Sequence, residues 1–137
     1  MKKIFSFIDT PFIIAFLFAF SASMAFAKDY VIYSINQDIP MGVKDEVIRK
    51  NFYVDMGKNQ GVKKGSVLDV YRIVSVLDPY GGKKRFNHKI KIGELKVLHS
   101  EETSSIGVIN KMEEADETPV MDVEALMIGD VVNVHVK

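Results

Sequence analysis

The stretch NFYVDMGKNQGVKKGSVLDVYR, residues 51–72, decides the fold class of this chain. At its start an apolar residue occupies every second position: Phe52, Val54 and Met56. Such an alternation is the period-two pattern of a strand with one buried face. Residues 57–66, rich in glycine and lysine, interrupt it, and Val67–Leu77 then reads as a second, longer strand. The sequence therefore predicts two strands joined by a turn-rich connection.

Strand-like segments continue on both sides of this stretch. The further predicted strands are Tyr30–Ile35, Lys89–His99, Ser104–Lys111 and Val131–Val136. Within the 89–99 segment the alternation changes parity at Gly93, which indicates a β-bulge. Residues 36–42 and 113–118 are loops by composition, and residues 121–128 predict at most one short helical turn.

About six short strands and no helix of ordinary length predict an all-β fold. We expect a small β-barrel, closed or partly open, rather than a sandwich. The chain barely fills two packed sheets, and closure removes exposed strand edges. The predicted strands at the two ends, Tyr30–Ile35 and Val131–Val136, are free to meet, so we expect the first and last strands to pair. In this division residues 28–50 are an N-terminal strand and loop, and residues 51–137 are the β-barrel.

The first 27 residues have the pattern of a signal peptide. Lys2 and Lys3 precede the apolar run PFIIAFLFAF, residues 11–20. Ala25 and Ala27 satisfy the small-residue rule for cleavage, which predicts a mature chain beginning at Lys28. The alternative is an anchor that is not cleaved, although Asp9 interrupts the segment that would span the bilayer. We expect a periplasmic protein with no stable membrane span after cleavage.

Composition excludes several functional classes. The 137 residues hold 18 Lys+Arg and 18 Asp+Glu, a formal net charge of zero, unlike the basic excess of nucleic-acid-binding domains. There is no cysteine, which excludes disulfides, a thiol nucleophile and thiolate zinc sites. No metalloprotease or serine-hydrolase motif occurs, since neither H-E-x-x-H nor G-x-S-x-G is present. We therefore predict no catalytic residue, no metal site and no cofactor.

The glycines at residues 57, 61 and 65 admit two interpretations. Glycine-rich loops with lysines can cradle phosphate, but a P-loop needs G-x-x-x-x-G-K-[ST] before a helix, and here a strand follows. We therefore interpret these residues as structural turn positions with positive φ. Further structural positions are the bulge and the last turn. The full set is Gly57, Gly61, Gly65, Gly93, Gly129 and Asp130.

Basic and aromatic residues are interleaved in the connection between the predicted strands Val67–Leu77 and Lys89–His99. The candidate partner-binding residues are Tyr80, Lys83, Lys84, Arg85, Phe86 and Lys89. Such a loop is either a solvated hairpin tip or a contact for an acidic protein surface or an anionic polymer.

The acidic run at residues 113–117 lacks the spacing of an EF-hand calcium loop. It is therefore either solvated or complementary to the basic loop of a neighbouring copy. The second interpretation would make the protein self-associate.

The stretch quoted at the outset resembles the C-terminal domain family of flagellar assembly protein T. That family reads as a strand, then G-x-x-x-G-V-x-x-G-D, then a strand ending in an aromatic and a basic residue. Ile92–Val97 and Ile128–Val132 are similar to its second and third signatures, so the resemblance covers residues 52–136. Ser66 stands where the family has aspartate, and similar glycine turns occur in other small envelope barrels. The resemblance implies an envelope β-barrel module in a multiprotein assembly, flagellar or other, without catalytic residues.

The sequence thus predicts a non-enzymatic periplasmic module for protein–protein interaction or envelope assembly. The alternative is a binding module for an anionic envelope polymer or ligand that uses the basic 83–91 loop. Salt dependence separates the two predictions, because screening weakens contacts between exposed charges and leaves apolar contacts in place.

Overall fold

The computed structural model describes residues 27–120, 123 and 125–136. Six strands form in this part of the chain: β1 (Tyr30–Gln37), β2 (Lys50–Val54), β3 (Val67–Leu77), β4 (Arg85–Ser100), β5 (Ser105–Met112) and β6 (Val131–Val134). Two 3₁₀ turns, Lys58–Gln60 and Ala115–Glu117, accompany them. None of the helices within these described ranges has the length and apolar character needed to cross a membrane.

All neighbouring strands are antiparallel, and the sheet closes on itself in the order β1-β2-β5-β4-β3-β6. The predicted all-β barrel of about six strands is therefore confirmed, in its closed form. The first and last strands pair as expected, with Tyr30 opposite Val132 and Val31 opposite Val131. β1, from the 28–50 segment, is thus one of the strands of the same barrel.

The period-two pattern of the sequence faces the barrel interior as predicted. Phe52 and Val54 of β2 are fully buried, and Met56 just after it is 3% exposed. The other fully buried apolar side chains include Ile32, Val62, Leu68, Val70, Ile92, Leu95 and Val132. β6 ends at Val134, two residues earlier than predicted. Val136 lies beyond this end and is 86% exposed.

The predicted bulge in β4 is present. Val70 of β3 pairs with Gly93 and Tyr71 pairs with Lys91, so Ile92 is the extra residue. A side chain at Gly93 would approach the Lys111 carbonyl oxygen to 2.7 Å. The bulge reverses the inside–outside alternation, and it therefore places Lys91 and Glu94 on the same outer face of the barrel.

Positive φ is predicted for Gly57, Gly61 and Gly65; it is observed at the last two and not at Gly57, and Gly129 of the predicted last turn also has it. Gly61, Gly65 and Gly129 have φ values of +81°, +87° and +96°. Gly57 is extended, with φ −140°. Its lack of a side chain serves close packing instead, because a Cβ atom there would lie 2.7 Å from the Ser104 nitrogen and against the Glu101 carbonyl.

A Gly57→Ala substitution is expected to lower the free energy of unfolding by about 2–3 kcal/mol, because the added Cβ would push against backbone atoms of the β4–β5 turn. Gly61→Asn is the matched control. Its site is open and asparagine tolerates positive φ, so the loss should stay below about 1 kcal/mol. Urea unfolding measures both, and equal losses would contradict the assigned role of Gly57.

Two sequence predictions fall wholly or partly outside the described residues. The signal peptide, with Ala25 of its cleavage site, lies outside them except for Ala27. Residues 121, 122 and 124 of the predicted helical turn also lie outside, and residues 125–130 form a bend and a turn.

Candidate interaction surface and the polar cluster beside it

β3 and β4 are longer than the barrel requires. β6 pairs with β3 only over residues 68–71, and β5 pairs with β4 only from Gly93 onward. Beyond these positions Arg72–Leu77 pairs solely with Arg85–Ile90. The two strands therefore project from the barrel as a two-stranded ribbon, here called the arm (residues 72–90).

The arm has two different faces, because residues directly opposite each other on paired strands share a face. One face, here called the apolar face, carries Val74, Val76, Phe86, His88 and Ile90, and at its base also Arg72, whose guanidinium is paired with Asp130. Val76 and Phe86 are 51% and 43% exposed. At the base of this face a groove of about 610 Å³ is lined partly by Val74, His88, Ile90 and Pro119.

The other face of the arm carries residues of mixed character: Ile73, Ser75, Leu77, Arg85, Asn87 and Lys89. Lys89 extends along it, with its Nζ 5.0 Å from the centre of the Tyr71 ring. This face therefore presents a positive charge beside an aromatic ring and is the more polar of the two.

Residues 78–84 form the tip of the arm. The Tyr80 amide donates to Asp78 Oδ1 at 2.9 Å, and the Asp78 amide donates to the Lys84 carbonyl at 2.9 Å. Gly82 and Lys83 have φ values of +71° and +68°. Lys83 is one of the few non-glycine residues held in the left-handed region, which indicates a defined turn.

The structure places all the predicted partner-binding residues on the arm. The set comprises Tyr80, Lys83, Lys84, Arg85, Phe86 and Lys89, each of them exposed. Tyr80 is 97% exposed, and Lys84 Nζ lies 4.9 Å from the centre of the Phe86 ring. Among the ion pairs formed within the described ranges, none involves these cations. Their charge is therefore presented to solvent.

An acidic segment lies at the opposite end of the arm, beside its base. The Glu113 amide donates to the Ile92 carbonyl at 3.0 Å, which ties the segment to β4. Glu114, Asp116 and Glu117 are exposed around the second 3₁₀ turn. Residues 113–117 are here called the acidic loop.

A polar cluster that sequence reasoning missed lies on the outer face of the barrel. Asp69 is 8% exposed and accepts from Lys91 Nζ at 3.0 Å. Lys91 Nζ also lies 2.9 Å from Glu94 Oε1, and His135 Nδ1 lies 2.9 Å from Asp69 Oδ1. The parity change at the bulge was a signal for the Lys91–Glu94 pair, whereas nothing in the spacing indicated that His135 meets Asp69.

Asp69, Glu94 and His135 have the donor types of a metal site, with one ligand atom of each within 4.8 Å of the others. The ammonium group of Lys91 lies between the two carboxylates and supplies the positive charge there. Hydrogen bonds to Glu94 and Asp69 raise the pKa of Lys91 above its ordinary value. The residues therefore fit a salt-bridge network joining β3, β4 and the end of β6 better than they fit a metal centre.

The same network predicts a pH effect. The hydrogen bond from Lys91 holds the pKa of Glu94 below its ordinary value of 4.5. The stability contributed by this carboxylate is present above 4.5 and is lost as the pH falls through the lower, folded-state pKa. We expect Glu94→Gln to lose less stability than the wild type from about pH 5 to about pH 3 in urea unfolding. In a Lys91→Met background the same change should have no such effect, and an undiminished effect there would contradict the pairing.

No family model matches the chain, and no curated protein matches it significantly.

Proposed function

We propose that this protein is a non-enzymatic module of the bacterial envelope that binds another protein through the arm. The observation that carries the proposal is the exposed apolar surface of the arm. Val74 and Ile90 pack against the core at its base. Farther out, Val76 and Phe86 on the apolar face are 51% and 43% exposed, and Ile73 and Leu77 on the other face are 47% and 46% exposed. Contiguous exposed apolar surface on a small protein marks an interaction site. The closed barrel supplies the rigid support from which such a ribbon can project.

The polar cluster supports a non-enzymatic role. Its charged groups are engaged with one another, because Lys91 forms an ion pair with each of the two carboxylates that acid–base chemistry would use. On the sequence resemblance, the assembly that the module joins is a flagellar one or another multiprotein structure of the envelope. Export through the predicted signal peptide would place the arm in the periplasm.

A second candidate function is supported by the charge of the arm. The exposed cations near the tip, at residues 83, 84, 85 and 89, form a patch that suits an anionic envelope polymer. Binding of that kind would depend on charge alone and would weaken strongly with salt.

Affinity capture from an envelope extract of the source cells separates the two functions. The bait is residues 28–137, which contain all six strands, used at low and high salt. Val76→Ser/Phe86→Ser should abolish capture of a protein partner, and Lys83→Ser/Lys84→Ser/Arg85→Ser should only weaken it. Leu98→Ser is the matched control, since Leu98 is 44% exposed but lies on the barrel part of β4.

Retention of a protein at both salt concentrations, with loss in the apolar variant, supports the proposed function. Recovery of polymer alone, abolished by high salt and by the triple change, would replace it with the second candidate.

A further inference from the structure

We infer that the protein bound by the arm is a second copy of this chain, in a closed dimer whose two arms lie antiparallel with their apolar faces in contact. The inference rests on the proposed function and names its partner. In such a dimer each copy presents the same surface, and one two-fold axis relates the two.

The charges along the arm favour this arrangement. The tip carries Lys83, Lys84 and Arg85, and the acidic loop with Glu114, Asp116 and Glu117 lies beside the base. Antiparallel arms bring the basic tip of each copy to the acidic loop of the other, so two complementary contacts form together. Parallel arms would bring like charges together, which costs several kcal/mol.

The apolar residues match under the same symmetry. The arm contains six residue pairs, from Arg72–Ile90 to Leu77–Arg85, and is therefore about 20 Å long. With the two-fold axis at the Val74–His88 pair, Val76 of one copy lies over Arg72 of the other, whose guanidinium is paired with Asp130, and Phe86 lies over Ile90. There the groove beside Pro119 can receive the Phe86 ring.

Overall composition is consistent with a self-complementary surface. The chain holds 18 Lys+Arg and 18 Asp+Glu, so it has no net charge that would drive two copies apart. The tip carries three exposed cations and the acidic loop three exposed acidic side chains. An acidic partner for the tip is therefore present in every other copy. The contact is narrow, one ribbon wide, and we expect weak association, with a Kd in the micromolar range.

Thiol crosslinking tests the position of the axis directly, because the chain has no native cysteine. In residues 28–137, His88→Cys places a thiol beside the proposed axis. Faces packed on each other lie about 10 Å apart, too far for a direct disulfide, so a short bismaleimide should join the two thiols and give a covalent dimer. Ser75→Cys lies on the opposite face of the arm and is the matched control. Crosslinking of both variants to the same extent, or of neither, would overturn the inference.

Charge reversal tests the pairing of tip and acidic loop by sedimentation equilibrium. Lys83→Glu/Lys84→Glu/Arg85→Glu and Glu114→Lys/Asp116→Lys/Glu117→Lys should each weaken dimerisation about tenfold or more. An equimolar mixture of the two variants should restore a dimer, since the reversed tip of one variant then meets the reversed loop of the other, and the basic tip of the second meets the acidic loop of the first. A mixture that stays monomeric, or a wild-type protein that forms species larger than a dimer, would overturn the inference.

Failure of this inference is distinguishable from failure of the proposed function. If the protein is monomeric but captures a different protein through Val76 and Phe86, the dimer is rejected and the proposed interaction function stands. If it is monomeric and captures only polymer, both the dimer and the proposed function are rejected.

Discussion

Replacing Arg72 with methionine is expected to lower the free energy of unfolding by about 3 kcal/mol or more. Arg72 forms a bidentate pair with Asp130, with Nε to Oδ1 at 3.0 Å and Nη2 to Oδ2 at 2.9 Å. The two side chains are only 14% and 5% exposed. Removal of Arg72 leaves a buried carboxylate without its counter-charge, which is far more costly than loss of a surface ion pair.

The position of Asp130 explains why we expect so large an effect. Its backbone carbonyl accepts from the Ile32 amide at 3.0 Å, and its Oδ2 accepts from the Met127 amide at 2.7 Å. Arg72 also donates to the Ala125 carbonyl at 2.9 Å. The pair therefore fastens β3 to β1 and to the loop before β6.

The double variant Arg72→Met/Asp130→Asn is the control for this prediction. It removes both charges and keeps an oxygen for the Met127 amide, so about half of the lost stability should return. Urea unfolding monitored by circular dichroism measures both variants. A single variant as stable as the wild type would contradict a buried, mutually dependent pair.

Replacing Phe52 with alanine should lower the free energy of unfolding by about 3–5 kcal/mol. Phe52 is the largest fully buried side chain in the part of the chain that the structure describes. The residue directly opposite it on β5 is Gly107, which has no side chain to occupy the space that the ring vacates. We therefore expect a persistent cavity at the centre of the barrel.

Phe86→Ala is the matched control for Phe52→Ala. The same atoms are removed from the exposed apolar face of the arm, so the free energy of unfolding should change by less than about 0.5 kcal/mol. The same variant should weaken partner binding. Thermal unfolding measures the stability of the two variants, and sedimentation measures association. A loss of stability in Phe86→Ala as large as that in Phe52→Ala would contradict these assignments.

The barrel was largely predictable because its signals are local. Alternation at Phe52 and Val54 identifies a buried strand face, and the change of parity at Gly93 identifies a bulge from neighbouring residues alone. Pairing of the first and last strands followed from the need to leave no exposed edge. The length of β4, sixteen residues from Arg85 to Ser100, was underestimated because its outer part carries little buried surface.

The features that were not predictable depend on contacts between distant parts of the chain. Arg72 meets Asp130 58 residues away, and His135 meets Asp69 66 residues away. The requirement for glycine at residue 57 reflects crowding by a turn more than 40 residues later in the sequence. The candidate surface was identifiable by its basic and aromatic composition, whereas its apolar face required the cross-strand register.

The pairing of β1 with β6 also bears on the order in which the chain folds. It contains two paired positions, against eleven between β3 and β4, and it unites opposite ends of the sequence. A chain made from its N-terminus completes the β1–β2 pair and then the β3–β4 ribbon, and the second edge of β1 stays uncovered until the last residues are made. Hydrogen exchange should therefore be fastest along β6 and slowest in the barrel part of β3, because the barrel opens most easily where it closes last.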